Sequence, residues 1–299
     1  MDINKNILIV LSFIGLWTSS IVPEIYEEFL GFFLIISFGI LHGSNDILIL
    51  KNINQKEESS SFIKVLTTYI VTIMTSIVIF YFIPIIGLIL FILFSAYHFG
   101  EQHWEHKIKS KTIFPSYIYY VIYGLFILQL LFIFNTKQVS NIIASISNYK
   151  VSSNVLYISF YINAFALFIH SLIFVYQKKI SNKVILSDTL LLLVFGIIFK
   201  VSTLIWGFAI YFILWHSIPS LVEQVNFIYG KTNKKNLVNY TKKAFPYWLI
   251  SIIGLAIVYF IFKDEKLLYA ILFSFIAAVT FPHAFVITKL FKHKKNTIK

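Results

Sequence analysis

The sequence predicts an all-α protein: a polytopic integral membrane bundle of about ten transmembrane helices, with both termini in the cytoplasm. Three observations lead there. Of 299 residues, 58% are hydrophobic and only 13% charged, against about 25% charged in an average soluble domain. The apolar residues fall in long blocks, many reaching the roughly 17–25 residues that cross a bilayer. Every one of the 25 basic residues is a lysine, and most sit in short segments between the blocks, as positive-inside topology requires. No polar stretch is long enough for a separate globular unit, so residues 1–299 read as one transmembrane domain.

The ten expected spans are Ile7–Val22, Phe29–Leu50, Phe62–Ile83, Ile85–Gly100, Ser116–Asn135, Val155–Tyr176, Val184–Lys200, Val201–Val222, Tyr247–Phe262 and Leu267–Thr288. The first lacks a small-x-small cleavage site and is kept as a helix rather than a signal peptide. Pro84 marks the turn between the third and fourth. The stretch Val184–Val222 is too long for one helix and is divided at Lys200. Pro246 opens the ninth, where a missing N–H does little harm. Lys51–Ser61 and Lys231–Lys243 read as polar loops, and Asn141–Ser153 as a short interfacial helix. With the N-terminus inside, twenty of the 25 lysines are cytoplasmic and five (Lys137, Lys150, Lys200, Lys263 and Lys266) are outside. That bias sets the orientation, and the natural location is the cell (plasma) membrane.

Composition also excludes chemistry. With no cysteine there is no disulfide and no thiolate metal site. The net charge of +12 belongs to the topology lysines, not to a nucleic-acid surface. Any metal must be held by His, Asp, Glu, backbone or water.

Five of the eight histidines lie inside spans: His42, His98, His170, His216 and His283. Ionisable groups there face the bundle interior or a cavity. Each lies about 13–16 residues past the outer end of its span, which is roughly 20–24 Å at about 1.5 Å per residue, so all five share one level in the cytoplasmic third. A single membrane histidine more often makes an interhelical hydrogen bond. Five at one depth point to a shared metal site, since facing imidazoles are how bundles hold metals; neutral imidazole suits Fe, Cu, Ni or Zn. Asp46, Glu101 and Asp188 lie close enough in sequence or depth to orient such imidazoles. His103 and His106, with Glu101 and Glu105, read as an interfacial polar segment, and His293 as part of a solvated tail.

Four of these histidines stand in local motifs: Leu41-His42-Gly43-Ser44-Asn45-Asp46, Ser95-Ala96-Tyr97-His98-Phe99-Gly100-Glu101, Leu214-Trp215-His216-Ser217 and Phe281-Pro282-His283. Their order and spacing, over about residues 40–285, resemble the Brp/Blh family of membrane β-carotene 15,15′-dioxygenases. The resemblance implies a non-haem Fe(2+) enzyme that splits the central double bond of β-carotene with O2, giving two all-trans-retinal. It assigns His42, His98 and His216 as ligands. Family members often carry another histidine one turn after the Trp-His-Ser motif, and here that position is Ser220. His283 is therefore the expected fourth ligand, with His170 in reserve.

Tyr97 and Trp215 flank two of the ligands and are expected either to line a substrate tunnel or to support the metal shell, the alternative being aromatic packing. Pro282 is expected to bend its helix and aim His283 inward. Gly43 reads as a helix-packing glycine. The expected partners are β-carotene, O2 and the bilayer, with no nucleic acid. Two other classes stay open on the residues alone: a proton-coupled transporter or carotenoid-binding protein, with membrane His, Asp46 and Asp188 as its relay, and a haem protein with facing histidine pairs.

Overall fold

A computed structural model of the chain describes residues 5–57, 62–109, 113–261 and 265–297. Among these residues the secondary structure is helical throughout. The first half holds α1 (Lys5–Ile21), α2 (Glu24–Leu34), α3 (Ile40–Gly43), α4 (Asp46–Glu57), α5 (Phe62–Phe82), α6 (Pro84–Trp104) and α7 (Ile113–Phe134). The second holds α8 (Thr136–Ser147), α9 (Ser153–Tyr176), α10 (Asn182–Val201), α11 (Leu204–Ile210), α12 (Ile218–Tyr229), α13 (Lys234–Ile261) and α14 (Glu265–Thr297). Two π-helical segments, Ile35–Gly39 and Tyr211–Ser217, join α2 to α3 and α11 to α12 into long rods. Among the described residues six helices are long and apolar enough to cross a membrane: Glu24–Ile53, Pro84–Trp104, Pro115–Phe134, Ser153–Tyr176, Asn182–Val201 and Leu204–Tyr229. Many large apolar side chains remain on the outside, among them Trp17, Phe29, Phe82, Tyr161, Phe165, Leu193 and Ile250, as a surface solvated by lipid should have.

The breaks follow local chemistry. Pro84 occupies the first turn of α6, directly after Ile83 leaves helical geometry. The division expected near Lys200 falls at Ser202 and Thr203, both extended, and the Thr203 hydroxyl caps α11 by accepting from the Trp206 N–H at 3.4 Å. Three expectations are corrected. Pro246 lies inside α13, not at its start, because Tyr240 and Ala244 are fully buried and hold the preceding turns as helix. For the same reason most of the supposed loop 231–243 is helical. The helix placed at Asn141–Ser153 is α8, which begins earlier, at Thr136, and ends earlier, at Ser147: Asn148, with φ 58°, stops it in the left-handed conformation that asparagine tolerates. In the supposed loop Lys51–Ser61, α4 runs on to Glu57, and residues 58–61 lie outside the described set.

Apolar burial drives little helix association in lipid; close packing takes over, and small residues allow it. α6 and α7 show how. A Cβ on Gly100 would overlap the Tyr120 carbonyl, and one on Gly124 would overlap the Ala96 carbonyl. The two helices thus touch backbone to backbone on both sides of His98, which fixes the height and rotation of that residue. Around this contact Trp104, Tyr119, Tyr120, Tyr123, Phe195 and Phe199 form the densest part of the core.

Candidate metal centre

His42 comes from α3, His98 from α6, His216 from the second π segment and His283 from α14. The structure brings all four together. One ligand atom from each lies within 4.8 Å of the others, and the residues are 4%, 1%, 1% and 3% exposed. The rings form a four-sided arrangement in which neighbours stand nearly perpendicular. Centroid separations are 4.7 Å for His42–His283, 5.1 Å for His283–His98, 4.7 Å for His98–His216 and 5.3 Å for His216–His42.

A buried imidazole nitrogen without a partner is costly. Here His42 Nδ1, both ring nitrogens of His98, His216 Nε2 and His283 Nε2 are buried with no hydrogen-bond partner. Four helices converging only to strand polar atoms would be a poor packing solution; one cation among them would give each of the four rings a partner, with the second His98 nitrogen left over. The donor set fits Fe, Cu, Ni or Zn.

His283 is oriented. Its Nδ1–H donates to Asp46 Oδ1 at 2.8 Å, and the Tyr69 hydroxyl donates to Asp46 Oδ2 at 3.1 Å. This fixes the tautomer that leaves the Nε2 lone pair free. Asp46 is 1% exposed and places its carboxylate directly against the His283 ring. It meets His283 and not the neighbouring His42. The Gln102 amide donates to the His216 carbonyl at 3.0 Å, and the Tyr240 hydroxyl lies 3.3 Å from the His42 carbonyl.

Other expected participants lie elsewhere. Glu101 accepts from the Tyr97 hydroxyl at 2.6 Å and the Thr288 hydroxyl at 2.7 Å, and none of its bonds goes to an imidazole. Tyr97 is thereby turned toward Glu101 and does not line the cavity described below. The Trp215 indole turns away from the group, donating to Ser12 of α1 at 2.9 Å, and packs on Phe195. His170 hydrogen-bonds the Ala166 carbonyl at 2.9 Å within α9 and stays outside the group. Asp188 binds His103 at 2.5 Å and Lys107 at 3.3 Å, away from the four histidines. Burial lowers the Lys107 ammonium to about 8, with Asp188 opposing that shift. Ser220, where a further histidine was considered, is buried and accepts from the Gln224 amide at 3.0 Å.

Three contributors carry no sequence signal that points to them. Phe212 stacks on His216 with centroids 5.4 Å apart and 17° between planes, and meets His42 edge-on at 5.6 Å. Gly39 makes room for it: a Cβ there would stand 2.5 Å from Phe212 Cε1. Tyr69 reaches Asp46 from α5, a different helix. Both π segments flank the site, and π-helical turns commonly occur at functional positions.

The four imidazoles border a cavity of about 120 Å³. Its remaining walls are almost wholly apolar, including Ile35, Phe91, Leu128, Leu131, Phe208, Phe212, Leu255 and Ile276, with Ser95 and Thr280 the polar side chains besides the histidines.

Fold and site define a class: an apolar helical bundle with six helices able to cross a bilayer and a buried four-histidine group able to hold a metal ion. The family model for beta-carotene 15,15′-dioxygenase matches residues 33–291. The chain belongs to that family. No curated protein and no solved structure matches it.

Proposed function

We propose that this protein is a membrane-embedded Fe(2+) dioxygenase that cleaves β-carotene at its central 15,15′ double bond, giving two all-trans-retinal. The observation that carries the reading is the pairing of four buried imidazoles, each with an unpartnered ring nitrogen, with an apolar cavity. The family supports the substrate and the reaction class. His42, His98, His216 and His283 would hold the ion. Iron bound there would supply O2 activation beside the alkene. The net change is balanced without a further reductant: one C=C and one O–O bond break, and two C=O bonds form.

The chain's own groups perform the rest. Asp46 holds the His283 tautomer, and Tyr69 holds Asp46. The apolar walls suit a polyene, with Ser95 and Thr280 the only polar side chains among the lining besides the histidines. Phe212 presses on two of the four rings and so borders the place where substrate and ion meet. Positioning of this kind is the protein's main contribution when a cofactor carries the chemistry. A haem between facing histidines does not suit the arrangement, because the other two rings occupy the space that a macrocycle needs. We further read the chain as one domain of ten spans in the plasma membrane, N-terminus and C-terminus inside. The lysine distribution supports this, and a helix occupies each of the ten expected segments.

Expression in β-carotene-producing bacterial cells with iron supplied, followed by chromatography of the pigments, tests the reading. Loss of β-carotene with appearance of C20 retinal is expected. His42→Ala, His98→Ala and His216→Ala should each lose bound iron and cleavage while the protein still inserts. Unchanged β-carotene with iron-loaded protein in the membrane would overturn it, in favour of a transporter or a carotenoid-binding protein.

A further inference from the structure

A second cavity, of about 370 Å³, lies between α1 and α10 and shares no lining residue with the one beside the four histidines. Its lining is divided by chemistry. At one end stand three lysines: Lys5 in the first turn of α1, Lys107 just past the end of α6 and Lys183 in the first turn of α10. Beyond them the walls are Ile9, Leu190, Leu191, Val194 and Trp215. The separation of Lys183 from Val194 along α10 is roughly 16 Å at about 1.5 Å per residue.

The charged end is unbalanced. Asp188 is the one carboxylate among the described lining residues, and it is already committed to His103 and to Lys107 at 3.3 Å. Burial lowers the Lys107 ammonium, Asp188 opposes that, and the nearby charge of Lys5 adds to it. Among the described residues neither Lys5 nor Lys183 has a carboxylate partner. α10 also begins here, and its N-terminal dipole end adds positive potential. Ammonium groups gathered in this way suit a phosphate.

The apolar end opens outward. Leu190 is exposed, and Leu186, Leu193 and Ile197 continue its exposed face along α10 at helical spacing. Trp215 lines the inner side, and its indole, bonded to Ser12, ties α1 to the segment that presents His216. A soluble anion would match the lysines and leave the apolar wall bare. A hydrocarbon would match the wall and leave the lysines unpaired. A phosphate carrying an acyl chain matches both.

We propose that the groove between α1 and α10 binds one anionic phospholipid, with Lys5, Lys107 and Lys183 around its phosphate and an acyl chain along Leu190 and Val194 against Trp215. Basic pockets between helices at a membrane surface hold lipid headgroups in this manner. The inference rests on the reading of the chain as membrane-embedded, not on its chemistry. The bound lipid joins the first turns of α1 and α10 and so steadies the helix to which Trp215 is tied.

The test uses the purified full chain in phosphatidylcholine nanodiscs, into which phosphatidylglycerol with brominated acyl chains is titrated. Bromine quenches an indole that it touches. The Trp215 signal is the difference between the unaltered protein and Trp215→Phe. The exposed Trp17, isolated in the same way with Trp17→Phe, reports the bulk bilayer. Trp215 should be half-quenched at a several-fold lower brominated fraction than Trp17, and brominated phosphatidylcholine should show no such preference. Lys5→Gln combined with Lys183→Gln should raise the fraction needed at Trp215 by about fivefold for each lysine removed. Lys234→Gln combined with Lys235→Gln, an equal change of charge in the first turn of α13, should leave it unchanged. Equal quenching of Trp215 by the two lipids, or an equal shift from the two lysine pairs, would overturn the site. Phosphatidylglycerol should also raise the unfolding temperature, and inorganic phosphate in discs without it should not. Stabilisation by inorganic phosphate alone would assign the lysines to a soluble anion and refute the lipid. Absence of quenching at Trp17 by either lipid would overturn the membrane reading itself.

Discussion

The two sides of the histidine layer are built on opposite principles. On the side that precedes the histidines in their helices, the walls are Ile, Leu and Phe, and nothing but packing holds them. On the side that follows, side chains are joined in a hydrogen-bonded frame: Tyr69 to Asp46 to His283, Asn45 to the Tyr240 carbonyl, and Tyr240 to Gln224 to Ser220. The first side is shaped to receive something apolar and let it go. The second has most of its polar groups committed and is shaped to stay still. A site that holds a metal and admits a hydrocarbon needs both, and here they are separated by one layer of imidazoles.

That comparison can be broken most thoroughly at the α6–α7 contact, which anchors both sides. Gly100→Leu places a side chain where the Tyr120 carbonyl already stands. We expect a loss of ~3 kcal/mol or more, seen as failure of the protein to accumulate in membranes. On the committed side, Asp46→Asn should weaken iron retention by about 10–100-fold, measured by metal content after chelator challenge, with the product still C20. On the receiving side, Gly39→Ala should give the reverse pattern. Displacement of Phe212 should lower cleavage several-fold while iron content stays normal. Equal effects of these two variants on iron would show that the sides are not separate.

Smaller effects sharpen the contrast. Tyr240→Phe leaves Gln224 Oε1 buried without its donor and should cost about 1–3 kcal/mol, visible as a lower thermal-inactivation temperature with unchanged product. His106 lies outside the spans, and its bond to Glu223 at 2.7 Å raises its pKa above the ordinary 6.5. Its contribution to stability is thus complete below pH 6.5 and is lost as pH rises through the raised value. The imidazole is largely exposed, so the effect is small. His106→Gln should flatten that slope in inactivation temperature against pH, and the slope should persist if another group causes it.

The sequence alone revealed the helices and the level of each histidine, because both depend on position along the chain. What it could not reveal was rotation about each helix axis. In a membrane bundle the lipid-facing and inward faces are both apolar, so no periodicity separates them. Counting along its span places His170 at the level of the other four, yet only 17% of that span's apolar window is buried, against 44% for the helix of His98 and 56% for that of His216. Its ring folds back onto its own helix. Trp215 adjoins His216 in sequence and therefore points about 100° away from it, toward α1. Glu101, one turn after His98, meets Tyr97 and Thr288 instead of a metal-facing imidazole. Asp46–His283 and Tyr69–Asp46 are pairings between helices remote in sequence, and no local motif encodes them.

The paired π segments carry a consequence for how this site changes over evolutionary time. Each holds a residue more per turn than an α-helix needs, and both lie in the rods that present His42 and His216. Deleting one residue within 35–39 or 211–217 would let the rod relax to α-helix while the helix beyond keeps nearly its register with the helix before, because the π turn already absorbs the extra residue. The side chains carried on the relaxed turn itself would be re-aimed, and His216 lies on the second of these turns. A single-codon deletion at the second joint can therefore disturb this site with every histidine and the surrounding bundle intact, and an unbroken set of histidines in a relative does not by itself mark an active one.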